Sequence, residues 1–277
     1  MRVLQDRVQH SFRRGLATYH AAAVAQAQIA EMVMDALQAA GAPDAFGRVL
    51  EFGCGTGHLT AQILQRLAVD HLTLNDLVAD CATALHPVLQ GHMTQAAFLA
   101  GAIETLALPK GLDLVASAST VQWVQDPAAL IARLSAHLAP GGWLAISGYG
   151  RGHFAELQGM GAQAMAPSYL DPRDWRAVLP DDLRVHSLEQ HSLCVPFPDA
   201  ISLLRHLRRT GVNAGAGRHW TRARLAEFDT RLRADQPVGG QLCLTYCPVI
   251  VIAQKLGSAR PNLAVRAGTG KRGRLRL

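Results

Sequence analysis

Between residues 51 and 57 the chain reads Glu51-Phe52-Gly53-Cys54-Gly55-Thr56-Gly57, with glycine at every second position from 53. Glycine lets a chain turn tightly and lets a ligand reach main-chain amides with no Cβ in the way. A helix starting just after such a turn aims its first amides at the bound group. The turn alone is ambiguous, because dinucleotide sites carry Gly-x-Gly-x-x-Gly on a similar scaffold. Here the third glycine of that pattern is replaced by His58, and an acid, Glu51, precedes the first glycine by two. That spacing disfavours a pyrophosphate. Asp76 stands 19 positions beyond Gly57, at the end of an apolar run, where a carboxylate can accept both hydroxyls of a ribose. Alone, Asp76 could equally cap a helix. With the turn upstream, a cofactor bearing adenosine is the stronger reading.

These residues need elements to hold them. Arg48–Phe52 reads as a short buried strand running into the turn, and Leu59–Leu67 as the helix after it. Residues 71–75 form a second strand closed by Asp76, 79–89 a helix, 97–100 a weaker strand and 112–117 a stronger one. Asp126-Pro127 marks a helix start, an N-cap followed by proline in the first turn. Pro140-Gly141-Gly142 then turns into a strand at 143–147. The alternation is that of an α/β fold with a largely parallel sheet. Upstream, Val24, Ile29, Val33 and Leu37 predict a helix over 20–40 that ends at Gly41 and Pro43. Downstream, 150–170 reads as a mobile cover, Asp171-Pro172 opens a short helix, and 184–195 with 242–254 predict a strand pair completing the sheet. Helices are expected near 198–210 and 221–234, joined by a flexible glycine-rich stretch, 211–217.

Bulk properties set limits. Hydrophobic residues make up 49% of the 277 and charged residues 17%, an ordinary globular balance. No apolar run approaches the roughly 20 residues that span a bilayer. The opening residues, Met1 to Arg7, lack the apolar stretch of a secretory signal, so a cytoplasmic protein is expected. The formal charge of +6 is matched by six basic residues after position 257: Arg260, Arg266, Lys271, Arg272, Arg274 and Arg276. The body is then near neutral, and 258–277 reads as a disordered tail behind a single domain, 1–257. Five cysteines without a disulfide-like rhythm read as small core residues in a reducing compartment, and no metal is expected.

Over roughly residues 45–150 these features resemble class I S-adenosylmethionine-dependent methyltransferases. The resemblance implies a Rossmann-like α/β fold, with a seven-stranded, mostly parallel sheet flanked by helices and helical insertions over the site. It implies Glu51 near the methionine ammonium and Gly53, Cys54, Gly55 and Gly57 against the methionyl part. Asp76 with Leu77 would take the ribose, and Ala102, Ile103 and Ser117 would complete the S-adenosylmethionine site. Ala102 stands where an aspartate is common, which leaves adenine to the Ile103 amide and to packing.

Four further segments narrow this: Ser11 to His20, Ser117 to Trp123, Leu203 to Gly211, and Leu244-Thr245-Tyr246. Together they resemble the malonyl-acyl carrier protein O-methyltransferase family of biotin synthesis, over about residues 6–255. Two departures are Ala118, where that family has asparagine, and His20, where an acid is common. The resemblance implies methylation of the free carboxylate of a malonyl thioester, on acyl carrier protein or coenzyme A. A carboxylate with a pKa of about 4 is already ionised at pH 7, so no general base is required. Rate would come from positioning, which can contribute on the order of 7–11 kcal/mol. Tyr19, Gln122, Trp123 and Tyr246 are the pocket candidates, and Arg151 or Arg205 the carboxylate-binding ones. For Tyr246, core packing is the better reading.

The cluster Arg205, Arg208, Arg209, Arg218, Arg222 and Arg224 is either a solvated face or a rim that steers acidic acyl carrier protein. Other methyltransferase substrates, including RNA, remain alternatives. Against RNA stand the near-neutral body, the 5% aromatic content, and the absence of an Asn-Pro-Pro-Tyr-like motif after the fourth strand, where the chain reads Ser-Ala-Ser-Thr-Val-Gln-Trp.

Overall fold

The glycine turn is reached by strand β1 (Ala45–Phe52), whose last four residues are all buried. A strand buried on both faces belongs in the middle of a helix-covered parallel sheet. In the computed structural model, which describes residues 2–158, 166–210, 221–234 and 241–257, that is where it lies. β1 pairs in parallel with β2 (Ala68–Asp76) and β4 (Leu112–Ser117). β3 (Gln95–Ala100) flanks β2, and β5 (Leu138–Tyr149) flanks β4, again in parallel. β9 (Pro248–Lys255) runs antiparallel to β5, and β6 (Leu183–Gln190) antiparallel to β9. The seven-stranded order is β3-β2-β1-β4-β5-β9-β6. Because the order reverses between β1 and β4, a crevice opens beyond their carboxyl ends.

Helix α2 (Val24–Ala39) buries Ile29, Ala30, Val33, Met34 and Leu37 at three- and four-residue spacing, the stripe of a helix lying on a core. It packs beside α3 (His58–Arg66), and Arg66 at the end of α3 pairs with Asp35 and Glu31. Leu50 and Phe52 belong to a second cluster with α6 (Pro127–His137) and Trp175 of α7 (Pro172–Val178). Asp126 caps α6 by accepting the Ala129 amide at 2.9 Å, as its sequence requires. A third cluster builds the cap. It joins α8 (Ala200–Arg209), α9 (Arg222–Ala234) and a separate two-stranded sheet, β7 (Leu193–Phe197) with β8 (Leu242–Tyr246), to the end of β5.

Several expectations are corrected. The helix expected over 20–40 breaks at buried Ala23 (φ −84, ψ 47), giving a second helix, α1 (Arg2–Ala22), ahead of α2. The break lets α1 leave the sheet and cross the crevice. The helix expected over 79–89 is two single turns, α4 (Cys81–Ala84) and α5 (His86–Leu89), with Pro87 withholding an amide. The expected strand pair 184–195 with 242–254 divides. β6 and β9 complete the main sheet, whereas β7 and β8 pair with each other. Cys247 parts β8 from β9, and Pro248, with no amide to give, starts the new strand. Not all cysteines are buried core residues: Cys194, exposed on β7, forms a disulfide with Cys243 on β8, while Cys54, Cys81 and Cys247 are free and buried.

Arg218, the glycine-rich stretch 211–217, part of the expected cover (159–165) and the basic tail from 258 lie outside the described residues. Among the described residues no helix is long and apolar enough to cross a membrane, and no group of three or more His, Cys, Asp or Glu side chains could hold a metal ion.

Candidate active site

The crevice past β1, β2 and β4 is a cleft walled by Gly53, Gly55, Asp76, Leu77, Ala102 and Ile103, all six expected from sequence. Gly53, Gly55 and Gly57 have φ of +65, +53 and +91, a region that side chains with a Cβ avoid. Their spatial demands differ. A Cβ on Gly53 would stand 2.1 Å from the Thr120 hydroxyl, and one on Gly57 2.9 Å from Leu85. On Gly55 it would meet only Tyr19, at 4.0 Å. Gly53 and Gly57 therefore serve packing, and Gly55 keeps main chain open to the cleft.

Asp76 holds the turn as well as facing the cleft. Its two carboxylate oxygens accept the amides of Gly55 (2.9 Å) and Val78 (2.8 Å). Burial raises its pKa, and those amide bonds oppose the shift. Behind it, Asn75 donates to the carbonyls of both Leu99 and Gly101 at 2.9 Å, fixing the loop after β3 against β2. The Arg133 guanidinium holds the Ile103 and Leu106 carbonyls of the same loop. Glu104 lines the cleft two residues beyond Ala102, so a carboxylate is present in this loop although Ala102 cannot supply one.

Four expected donor-site residues lie behind the wall instead of on it. Glu51 is 1% exposed and accepts the Thr60 hydroxyl at 2.7 Å. Burial, with a smaller contribution from Asp76, raises its pKa to about 8. The Cys54 amide donates to Asn75, tying the turn to β2. Gly57 packs on Leu85, as above. Ser117 is fully buried and gives its hydroxyl to the Phe52 carbonyl at 2.7 Å, binding the end of β4 to the end of β1.

One face of α1 closes the cleft. Gln9, Phe12, Leu16 and Tyr19, at 3-4-3 spacing, all line it. The helix is tied down by Arg13 to Asp80 (2.6 Å), Gln9 to the Leu77 carbonyl (3.1 Å) and His20 to Thr56 (3.0 Å). His20 also stacks on His58, 4.3 Å between ring centres. The sequence predicts a helix only from residue 20, although this 3-4-3 spacing is itself that of a helix face; Ser119 and Thr120 fall in the Ser117 to Trp123 segment, and nothing local marks Asn75.

A second, smaller cavity adjoins the first and shares Phe12, Tyr19, Ser119 and Trp123 with it. Its remaining wall includes Gln122, Tyr149, His153 and Tyr246. Phe12 meets Trp123 edge-on at 5.7 Å. Gln122 is 3% exposed and donates to the Ser119 carbonyl at 2.6 Å, but its own side-chain oxygen has no partner. Tyr246 is fully buried with its hydroxyl 2.6 Å from His206 on α8, so it is both packed and part of the cavity wall.

The two candidate arginines are elsewhere. Arg151 is exposed and engaged by Asp171 (3.2 Å) and Asp174 (2.5 Å), carboxylates at the start of α7. Arg205 is exposed on α8 with Arg208 and Arg209, and neither Arg151 nor Arg205 lines either cavity. Arg222 and Arg224 are exposed on α9. Arg209 directly precedes Thr210, a residue of the second cavity.

Known proteins are similar to this chain in sequence and in fold. A model of the methyltransferase domain matches residues 25–213. A malonyl-[acyl-carrier protein] O-methyltransferase of Prosthecochloris aestuarii is 33% identical, over 86% of this chain and 89% of its own. One from Haemophilus ducreyi is 30% identical, over 87% of this chain and 93% of its own. Among solved structures, the N-methyltransferase NodS of Bradyrhizobium japonicum, in complex with S-adenosyl-L-homocysteine, superposes with a TM-score of 0.54 at 13% identity. It covers 90% of this chain and 98% of its own, a likeness of fold.

Proposed function

The chain belongs to the methyltransferase-domain family and to the malonyl-[acyl-carrier protein] O-methyltransferases, and from that premise we propose that it methylates the free carboxylate of a malonyl thioester with S-adenosylmethionine. The product is the methyl ester. Masking the charge lets fatty-acid enzymes treat the acyl group as an ordinary primer, an early step of biotin synthesis. The observation that carries this reading is the shared wall of the two cavities: Phe12, Tyr19, Ser119 and Trp123 face both, so two ligands can meet there.

The residues of the larger cleft fit S-adenosylmethionine. Gly55 leaves main chain exposed where a Cβ would intrude on a ligand. Asp76 keeps lone pairs for ribose hydroxyls beyond the two amides it accepts. Leu77, Val78, Ala102 and Ile103 offer an apolar shelf for adenine, with Glu104 an acceptor for its amino group. Glu51, Cys54, Gly57 and Ser117 act behind the wall, shaping the turn that takes the methionyl part. When bound, S-adenosylmethionine supplies a methyl carbon on positively charged sulfur.

The chain's own task is then placement. The acceptor carboxylate is ionised at pH 7 and needs no base. Tyr19 and Trp123, on the shared wall, orient it, and burial raises the Tyr19 pKa so that the phenol stays an O–H donor. α1 excludes water by covering the cleft. The exposed arginines of α8, which ends just before Thr210 of the second cavity, together with those of α9 suit an acidic carrier protein, and long-range attraction would steer it.

The test is methyl transfer from labelled donor to malonyl-acyl carrier protein, malonyl-coenzyme A and bulk RNA. The expected result is base-labile label on the malonyl thioesters alone. Label in RNA, or none on either thioester, overturns the reading.

A further inference from the structure

Ser119 has φ +57, one of only two described non-glycine residues with positive φ. Such a conformation persists only where the surroundings impose it, and it gathers at functional sites. Here three neighbours impose it. The Ser119 amide donates to the Ser147 hydroxyl at 3.0 Å, its carbonyl accepts Gln122 at 2.6 Å, and its hydroxyl accepts the Tyr149 phenol at 3.0 Å. With its oxygen already accepting from Tyr149, the serine hydroxyl has its own hydrogen to give. It does so from the wall common to both cavities.

Tyr149 cannot swing away. It is 4% exposed, and His153 stacks on its ring at 3.8 Å. Burial raises the Tyr149 pKa and lowers that of His153 to about 3, so both are neutral at pH 7. Among the described residues, no Asp, Glu, Lys or Arg lines the second cavity. An anion placed there meets no charged side chain among them.

We propose that the Ser119 hydroxyl, oriented by the Tyr149 phenol that donates to it, grips the acceptor carboxylate, with the donor's positive sulfur as the counter-charge the anion meets in the site. This rests on the malonyl-thioester reading above. Neutral hydroxyls draw less charge from the carboxylate than an arginine ion pair would, so its oxygen stays nucleophilic. The order of binding also follows. Acceptor affinity is high only while a cation occupies the neighbouring cleft, and after transfer both products lack the charge that held them together.

The test is calorimetric titration of malonyl-coenzyme A into the protein preloaded with sinefungin, which carries a cationic amine near the methyl position, or with neutral S-adenosylhomocysteine. The expected result is about tenfold or more weaker binding beside the neutral ligand; equal affinities overturn the proposal. In parallel, Ser119→Gly removes the hydroxyl while suiting φ +57. Relief of the strained φ offsets the unpaired Tyr149 hydroxyl it leaves, so the melting temperature should move by only a few degrees and sinefungin affinity should stay within about twofold, yet kcat/KM for the acceptor should fall roughly ten- to a hundredfold. Tyr149→Phe should lose less, and the double variant no more than Ser119→Gly, because Tyr149 acts through Ser119. Full activity of Ser119→Gly, or strictly additive losses, overturns the clamp. A wild-type protein that labels no malonyl thioester refutes the substrate reading, whereas an active wild type with unaffected variants refutes only the clamp.

Discussion

The Asp76 carboxylate accepts the Gly55 amide at 2.9 Å, so the side chain proposed for the ribose also holds the turn proposed for the methionyl group. The two halves of the proposed donor site are thereby coupled. Asp76→Asn should weaken S-adenosylmethionine binding by about tenfold or more, because an amide nitrogen would face either the Gly55 or the Val78 N–H. It should also lower the melting temperature of the donor-free protein. Titration calorimetry and a thermal melt check both; lost affinity with an unchanged melt would separate the ribose role from the scaffolding one.

Gly53 is the least replaceable residue of the turn. Its Cβ would overlap Thr120 at 2.1 Å in a backbone region that also strains any side chain. Gly53→Ala should cost about 2–3 kcal/mol of stability and abolish measurable donor binding. Gly55→Asp has room within the protein but places a carboxylate in the cleft. It should leave the urea midpoint closer to that of the wild type than Gly53→Ala does, and still abolish donor binding.

Stability of the donor-free protein should peak near neutral pH and fall on both sides. Glu51 titrates at about 8 in the fold against an ordinary 4.5, because of burial first and Asp76 second. Between those values the folded chain holds a proton that the unfolded chain has released, so stability falls as pH rises toward 8. His58, His153 and His206 are held at about 4, 3 and 4 by burial. Below pH 6.5 the unfolded chain takes up protons there that the folded chain refuses, so stability falls as pH drops; three groups outweigh one. Glu51→Gln should flatten the limb from 6.5 to 8 and steepen the acid limb above pH 4.5, where Glu51 opposes the histidines, as thermal melts across pH would reveal.

The arginines should separate by role. Arg151→Ala should leave acceptor KM within about twofold, since its guanidinium is engaged by Asp171 and Asp174 at the surface. Replacing Arg205, Arg208 and Arg209 together by alanine should raise KM for malonyl-acyl carrier protein and remove most of its salt dependence, while sparing malonyl-coenzyme A. Steady-state kinetics at two ionic strengths distinguishes docking from a general loss of activity.

What the sequence by itself determined was local. A glycine turn after an apolar strand, a carboxylate at the end of the next strand and the α/β alternation each sit within a few residues of the signal that reveals them. They therefore pointed to the crevice that Gly53, Gly55 and Asp76 line, and Leu77, Ala102 and Ile103, which the family resemblance implied, line it too. The second cavity, proposed for the acceptor, was decided by tertiary structure. Ser119, Tyr149 and His153 come from a loop, a strand end and a turn, and they meet Tyr19 of α1 only because α1 breaks from α2 at Ala23 and crosses the crevice. Arg151 went to the surface, where it pairs with Asp171 and Asp174, and Arg205, Arg208 and Arg209 are exposed on α8. Which polar side chain reaches a cavity depends on contacts between residues distant in sequence, and no spacing along the chain encodes them.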